Sequence, residues 1–252
     1  MTSGPVVAIV QARMTSTRLP GKVLLPVAGR PLLSWQLDRM RLARRLDRIV
    51  IATTTNATDD PIVAWCRAQG CDVTRGSEAD VLSRYAQAAV QFGAGTVVRL
   101  TSDCPLIDPA LIDSAVERFV GAGCDYLSNM LHPSFPYGLA VEVMTARALA
   151  QAQQEAVDPQ ECEHVTPFIY WRPGRFRLES LTTSPDCSQH RWTVDTPQDF
   201  ELVSHILHAM AARHPGFSWR EVLDLLDRHP EWVKINAQIE QKAVKRGAQD
   251  DP

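Results

Sequence analysis

Short apolar runs alternate with segments of helical spacing along the first half of the chain. The runs are rich in β-branched residues, a composition typical of buried strands. Between them, apolar residues recur every three or four positions, which predicts amphipathic helices. The predicted strands are 6–10, 48–54, 71–75 and 96–101, and the predicted helices are about 31–45, 61–69, 80–92 and 109–120. Four strand–helix units in succession predict an α/β fold, with a doubly wound, mostly parallel sheet covered by helices on both faces.

This alternation changes beyond residue 123. The pattern there predicts strands at 125–129, 140–144, 176–181 and 192–195, and helices at 145–156, 160–171, 197–212 and 219–226. A loop at 131–139 contains two prolines and a glycine. We therefore expect one domain over residues 4–235, with 130–185 as an inserted lobe, and a polar tail at 238–252 that frays.

Six aromatic residues are concentrated in the expected lobe: Phe135, Tyr137, Phe168, Tyr170, Trp171 and Phe176. Few predicted strands of this segment offer a surface that could bury them. Exposed aromatic rings are common at the centre of protein interfaces, so the lobe is a candidate contact of a homodimer. The alternative is that the rings pack beneath the lobe as a small core of their own.

Composition narrows the possible environments and partners. The net charge of −3 over 252 residues argues against a general nucleic-acid surface. The six cysteines are scattered without a C-x-x-C pair, a pattern that favours reduced thiols. No basic leader and no apolar run of about 18 residues occur, so a secretory signal and a membrane span are not expected. A cytoplasmic protein is the expectation.

Three cations lie close together in the loop that follows the first predicted strand. Arg13, Arg18 and Lys22 stand there among small hydroxyl residues. An open α/β sheet binds its ligands at the carboxyl ends of its strands. Because three neighbouring cations repel one another unless an anion lies among them, the loop predicts a polyphosphate site. The alternative is a set of solvated loop charges.

Two aspartates also follow predicted strands. Asp103 comes directly after strand 96–101, and Asp195 ends strand 192–195. Mg²⁺ takes one or two carboxylates and completes its shell with substrate and water. The pair therefore predicts a site for Mg²⁺ or Mn²⁺ beside the phosphates. Each aspartate could instead cap a turn or a helix.

The loop sequence QARMTSTRLPGKVL resembles the signature of cytidylyltransferases that activate acidic sugars. It is most similar to the group named after spore-coat polysaccharide biosynthesis protein F, which is related to acylneuraminate and ketodeoxyoctonate cytidylyltransferases. The resemblance implies a nucleotide-diphospho-sugar transferase-like fold and a CTP site. In this chain that site would comprise Gln11, Ala12, Arg13, Arg18 and Lys22. The family usually has Gly where this chain has Thr15.

Other segments extend the resemblance. TSDCPLID and WTVDTPQDFEL match segments in which the family places its metal-binding aspartates, here Asp103 and Asp195. RGSEADVLSRY resembles a segment near the nucleotide and sugar sites, which makes Arg75 a candidate nucleotide contact. PYGLAVEV resembles the family's PDGLDVEV over the sugar site. It retains Glu142 as a candidate substrate contact but has Tyr137 and Ala140 where aspartates are common.

Together these features predict an enzyme that transfers CMP from CTP to a sugar, expected to be acidic, and releases pyrophosphate for surface glycan synthesis. The predicted catalytic residues are Arg13, Lys22 and Asp103. Three alternatives remain open. They are a nucleotidyltransferase acting on a sugar phosphate, an alditol phosphate or another acceptor, a nucleotide-binding protein without turnover, and a glycosyltransferase.

Overall fold

A seven-stranded sheet forms the centre of the computed structural model, which describes residues 4–172 and 174–241. Its strands are β1 (Val6–Gln11), β4 (Arg48–Thr54), β5 (Asp72–Gly76), β6 (Thr96–Thr101), β7 (Tyr126–Ser128), β8 (Glu142–Thr145) and β9 (Leu178–Ser180). Two further short strands, β2 (Pro26–Val27) and β3 (Arg30–Pro31), form a separate hairpin.

The strand order is β5-β4-β1-β6-β8-β7-β9. The first four of these neighbours pair in parallel. β8 runs antiparallel between β6 and β7, and β9 is parallel to β7. The predicted mostly parallel sheet is confirmed. Because β8 is antiparallel, its first residues lie beside the carboxyl end of β6.

Helices cover both faces of the sheet. They are α1 (Leu32–Met40), α2 (Asp60–Ala68), α3 (Val81–Gln91), α4 (Pro109–Ala122), α5 (Ala146–Glu155), α6 (Pro159–His164), α7 (Pro167–Tyr170), α8 (Pro197–Met210), α9 (Trp219–Arg228) and α10 (Pro230–Val233). β1 shows why both faces are buried. Val7 and Ile9 pack with α3, α5 and α7, whereas Ala8 and Val10 pack with α1, α4 and α8. Alternate residues of a strand point to opposite faces, so a strand apolar at every position needs a helix layer on each side.

The single helix predicted at 160–171 is two helices, α6 and α7. Val165 between them has φ 73° and ψ −55°, and the Thr166 amide donates to the carbonyl of His164 at 2.9 Å. These values describe a γ-turn with positive φ, a strained conformation for a β-branched residue. Val165 itself is fully buried in the core beside Phe168. Tertiary packing therefore outweighs the local preference that favoured one helix.

The predicted strand at 192–195 was wrong, because this extended segment joins no sheet. It lies between two loops. The Trp192 amide donates to the carbonyl of Tyr137 at 2.6 Å, and the Val194 amide donates to the carbonyl of Asp103 at 2.8 Å. Since its backbone groups pair with loops, the apolar pattern of the segment reflects burial and not membership of a strand.

Segment 130–185 contributes β8 and β9 to the central sheet. Three of its aromatic rings are buried within the chain: Phe135, Phe168 and Phe176. Phe168 packs edge-on against Phe176 at 6.1 Å between ring centroids. The expectation that these rings lacked a surface to bury them was wrong, and the homodimer stays a prediction. Of the predicted tail, residues 242–252 lie outside the described part of the chain.

Among the described residues, no helix is both long enough and apolar enough to cross a bilayer.

Gly138 permits the close contact between loop 136–139 and segment 190–195. It has φ +112°, and a Cβ there would lie 2.4 Å from the Thr193 amide nitrogen. We predict that Gly138→Ala destabilises the fold by about 2–5 kcal/mol, through this clash and the positive φ together. Gly70→Ala is the matched control, because Gly70 also has positive φ but its Cβ would meet nothing within 4 Å.

For Gly70→Ala we expect a loss of about 1–2 kcal/mol. Chemical denaturation of the two variants measures both free energies of unfolding. Equal losses would contradict the close contact assigned to Gly138.

Candidate active site

The loops at the carboxyl ends of β1 and β6 meet segment 190–195 at one edge of the sheet. The loop after β1 turns at Gly21, which has φ 70°, and Lys22 follows at the start of a short 3₁₀ helix. Asp103 lies two residues beyond β6. The backbone hydrogen bond from Val194 to Asp103 brings Asp195 to the same place. The predicted cations and carboxylates therefore converge.

The Lys22 ammonium lies between the two predicted metal ligands. Its Nζ donates to Asp195 Oδ1 at 2.8 Å, to Asp103 Oδ2 at 3.2 Å and to the carbonyl of Val194 at 2.7 Å. The Lys22 side chain is 11% exposed. Thr101 Oγ1 donates to the other oxygen of Asp103 at 2.5 Å. The two carboxylates are thus held together by a buried cation.

The charges of this cluster stabilise one another. Burial alone would lower the pKa of Lys22, but Asp103 and Asp195 outweigh it and the pKa is raised above its ordinary value. Burial would likewise raise the pKa of Asp103, but the charge of Lys22 and the Thr101 hydrogen bond hold that pKa below its usual value. Lys22 and Asp103 are therefore both ionised at neutral pH.

A second pair of cations fixes the orientation of Asp195. Its Oδ2 lies 3.1 Å from Arg18 Nη2 and 3.3 Å from Arg191 Nη2. Arg191 also forms a two-pronged pair with Asp199, with both nitrogen–oxygen distances at 2.9 Å. Asp199 is fully buried. A bidentate pair of this kind restricts the guanidinium to one orientation.

Asp199 is in turn held by the backbone and by the C-terminal segment. Its Oδ2 accepts from the amides of Asp195 and Thr196, both at 3.1 Å. Asn236 Nδ2 donates to Asp199 Oδ1 at 2.8 Å and to the carbonyl of Arg191 at 2.9 Å. The aspartate that caps α8 therefore also connects the C-terminal segment to Asp195.

Three residues of this network were not predicted from the sequence: Arg191, Asp199 and Asn236. One local signal could have found Asp199, because Thr196 and Asp199 form a capping box at the start of α8. Arg191 lies only four and eight residues before its partners Asp195 and Asp199, so the nearby opposite charges were a local signal for it. No local pattern marks Asn236, because its partners Arg191 and Asp199 lie 45 and 37 residues away.

Arg13, the third cation of the loop, is more exposed than Lys22. The Arg13 side chain is 44% exposed and its Nη1 lies 3.7 Å from Glu78 Oε1. Thr15 Oγ1 also donates to Glu78. The structure records positive φ for Ala28 and Val165 but not for Thr15, so the residue in place of the family's Gly causes no left-handed strain. Its hydroxyl instead ties the loop to the carboxyl end of β5.

Gln11 and Glu142 belong to a neighbouring buried network. Gln11 Oε1 accepts from Arg99 Nη2 at 3.1 Å, and Arg99 Nη1 donates to Glu142. Glu142 also accepts from the hydroxyls of Thr166, at 2.7 Å, and Tyr126. Glu142 is buried, and its oxygens already have these partners. Ala12 is buried too, and its amide donates to the carbonyl of Ala52 at 3.1 Å.

Arg75 lies apart from the Lys22 cluster. Its guanidinium bonds the carbonyls of Thr54 and Asn56 and the carboxylate of Asp60, each at 2.7 Å. These contacts brace the loop after β4. That loop holds Asp59, whose carboxylate accepts from the Met14 amide at 2.7 Å. Arg75 thus supports the loop carrying the cations from behind.

Tyr137, which replaces a common family aspartate, faces the carboxylates. The Arg191 guanidinium carbon lies 5.4 Å from the centre of its ring. Burial, and then the negative charges of Asp103 and Asp195, raise the pKa of the Tyr137 phenol. An aromatic ring therefore stands where a third carboxylate would add negative charge.

The donor set suits a hard divalent cation. Lys22 Nζ acts as a stand-in cation that is surrounded by two carboxylate oxygens and a carbonyl oxygen. Within residues 4–172 and 174–241, no group of three or more His, Cys, Asp or Glu side chains could hold a metal. The two carboxylates around Lys22 Nζ would be enough for Mg²⁺, because Mg²⁺ completes its shell with substrate and water.

Comparisons with known proteins agree with this geometry. A cytidylyltransferase family model matches residues 7–212. The chain is 36% identical over 231 residues to the spore coat polysaccharide biosynthesis protein SpsF of Bacillus subtilis, covering 88% of this chain and 94% of that one. It is 31% identical over 185 residues to a 3-deoxy-manno-octulosonate cytidylyltransferase of Acidovorax, covering 69% and 68%.

A solved structure shows the same fold. The cytidylyltransferase of Leptospira borgpetersenii superposes with a TM-score of 0.87 at 30% identity, covering 91% of this chain and 97% of that one. With the family model spanning most of the chain, the resemblance drawn from the loop sequence is confirmed. The chain belongs to the cytidylyltransferase family and is a nucleotidyltransferase that transfers CMP from CTP.

Proposed function

We propose that the chain transfers CMP from CTP to an acidic sugar of the 2-keto-3-deoxy type and releases pyrophosphate, as a step of surface glycan synthesis. The observation that carries this proposal is the pair Asp103 and Asp195, held by Lys22 beside the cationic loop after β1. The similarity to a 3-deoxy-manno-octulosonate enzyme and to SpsF supports the acceptor class.

In the proposed reaction an oxygen of the sugar attacks the α-phosphorus of CTP in line, and pyrophosphate leaves. A bond forms between the sugar oxygen and the α-phosphorus. The bond between the α-phosphorus and the oxygen that bridges the α- and β-phosphates breaks. Arg13, Arg18 and Lys22 bind the triphosphate and offset its charge. Arg13 and Arg18 suit this role because their side chains are 44% and 42% exposed.

Asp103 and Asp195 are the proposed ligands of Mg²⁺ or Mn²⁺. The metal supplies charge neutralisation of the phosphates when it is bound. Arg191 and Asp199 orient Asp195 through the contacts described above. In this arrangement the protein acts by positioning and electrostatics, without a covalent intermediate.

On the acceptor side we propose an indirect role for Glu142. Its oxygens are occupied by Arg99, Thr166 and Tyr126, so it holds Arg99 in place beside Gln11. The proposed nucleotide site also includes Gln11 and Ala12, which lie at the end of β1. Arg75 takes part indirectly, because it braces the loop after β4.

The reaction is tested by measuring pyrophosphate release over the four nucleoside triphosphates, with a panel of acidic sugars and sugar phosphates. We expect release with CTP and an acidic sugar, and only with Mg²⁺ or Mn²⁺ present. Release only with a sugar phosphate or an alditol phosphate would overturn the acceptor class. CTP binding without any release would favour a binding protein, and transfer from a nucleotide sugar without pyrophosphate would indicate a glycosyltransferase.

The two aspartates are tested by Asp103→Asn and Asp195→Asn. Each change removes a proposed metal ligand, and we expect kcat to fall by about a hundredfold or more. Asp186→Asn is the control, because Asp186 is exposed and lies outside the site. Melting temperatures establish that all three variants fold. Undiminished kcat in either of the first two would contradict the proposed metal site.

Glu142→Gln separates a supporting role from direct substrate contact. The change leaves Arg99, whose side chain is only 14% exposed, without its counter-charge. We therefore predict a loss of about 3–5 kcal/mol in the free energy of unfolding. Glu155→Gln is the control, because Glu155 pairs with Arg175 at the surface and its loss should leave stability nearly unchanged. A raised KM for the sugar with unchanged stability would instead favour direct contact by Glu142.

A further inference from the structure

All three N–H groups of the Lys22 ammonium are engaged. An ammonium has three donors and no acceptor, and Lys22 Nζ has three oxygens within 3.2 Å: Asp103 Oδ2, Val194 O and Asp195 Oδ1. A contact with phosphate requires Lys22 to give up at least one of them. The other two carboxylate oxygens are engaged as well, Asp103 Oδ1 by Thr101 and Asp195 Oδ2 by Arg18 and Arg191. A metal bound by these two carboxylates would therefore have to displace one of these partners, and Lys22 is the one that contacts both carboxylates.

The surrounding cluster is already neutral in charge. Its cations are Lys22, Arg18 and Arg191, and its anions are Asp103, Asp195 and Asp199. A divalent cation entering beside Lys22 would meet a positive charge at ion-pair distance, where repulsion is strong. The triphosphate of CTP carries about four negative charges. With that anion present, the charges of both the metal and the ammonium would be offset.

We propose that Lys22 makes metal binding depend on the nucleotide. Lys22 blocks the two carboxylates against a divalent cation until CTP offers its ammonium new acceptors, and the metal then takes the oxygens that Lys22 leaves. This inference rests on the proposed function, since it assumes that Asp103 and Asp195 are the metal ligands. It adds a binding order in which free metal does not occupy the site.

The exposed part of the loop fits this order. Arg13 and Arg18 are far more exposed than Lys22, whose side chain is 11% exposed. The nucleotide can therefore contact the arginines while Lys22 still holds the carboxylates. The four-carbon stem of lysine then lets the ammonium move without a change in the backbone.

The test is a titration of the full chain with Mn²⁺ in the absence of nucleotide. Electron paramagnetic resonance monitors the titration and gives the affinity for Mn²⁺. Lys22→Met keeps the length of the side chain and removes the charge. We expect it to bind Mn²⁺ at least about tenfold more tightly than the parent protein. Lys234→Met is the matched control, since Lys234 lies after α10 and contacts none of these carboxylates, and it should bind like the parent.

A double variant locates the metal. In Lys22→Met with Asp195→Asn, the gain in Mn²⁺ affinity should disappear. Lys22→Gln provides a second neutral variant that can still donate to the carboxylates if the methionine variant does not fold. Equal Mn²⁺ affinity of the parent and the neutral variants would overturn the inference.

The titration needs no turnover, so its outcome is separate from that of the proposed function. Absence of pyrophosphate release together with a gain in Lys22→Met would overturn the reaction and leave the competition between Lys22 and metal standing. Release with CTP together with equal Mn²⁺ affinities would leave the reaction standing and overturn the binding order.

Discussion

The Lys22 ammonium joins parts of the chain that are 81 and 173 residues apart, by its hydrogen bonds to Asp103 and Asp195. Two carboxylates that lie close enough to bond the same ammonium would repel each other if no cation lay between them. The ion pairs therefore hold the loop after β1, the loop after β6 and segment 190–195 in one arrangement. The parallel strands bring the first two together, and Lys22 with the Val194–Asp103 backbone hydrogen bond adds the third.

The cluster does not depend on Lys22 alone. Arg191, Asp199 and Asn236 form a buried chain of hydrogen bonds that runs from Asp195 to the C-terminal segment. Asp199 belongs at once to the capping box of α8 and to this chain. A residue that stabilises a helix terminus thus also orients a proposed metal ligand, so the local fold and the chemistry of the site share the same side chain.

Much of this architecture could be predicted because its causes are local. Runs of β-branched residues marked the parallel strands, and the clustering of Arg13, Arg18 and Lys22 marked the loop at the end of β1. What could not be predicted depends on distant contacts. Asn236 finds its partners 37 and 45 residues away in sequence. The γ-turn at Val165 is imposed by core packing, and segment 190–195 pairs with loops instead of strands.

The aromatic residues of segment 130–185 also show that composition alone does not determine which surface buries a side chain. Their concentration suggested an interface, yet Phe135, Phe168 and Phe176 are buried by helices of the same chain. Composition identifies side chains that need burial, but only the tertiary fold decides whether the covering surface comes from the same chain.

We propose that Asp103, Asp195 and Lys22 form the site of nucleotidyl transfer. A crystal structure of the protein with CTP and Mn²⁺, in which anomalous scattering locates the metal, tests it most directly. We expect Mn²⁺ bound to Asp103 and Asp195, with Lys22 Nζ moved from these carboxylates to a phosphate oxygen. Mn²⁺ and the triphosphate bound elsewhere, with Lys22 still between the two aspartates, would contradict it.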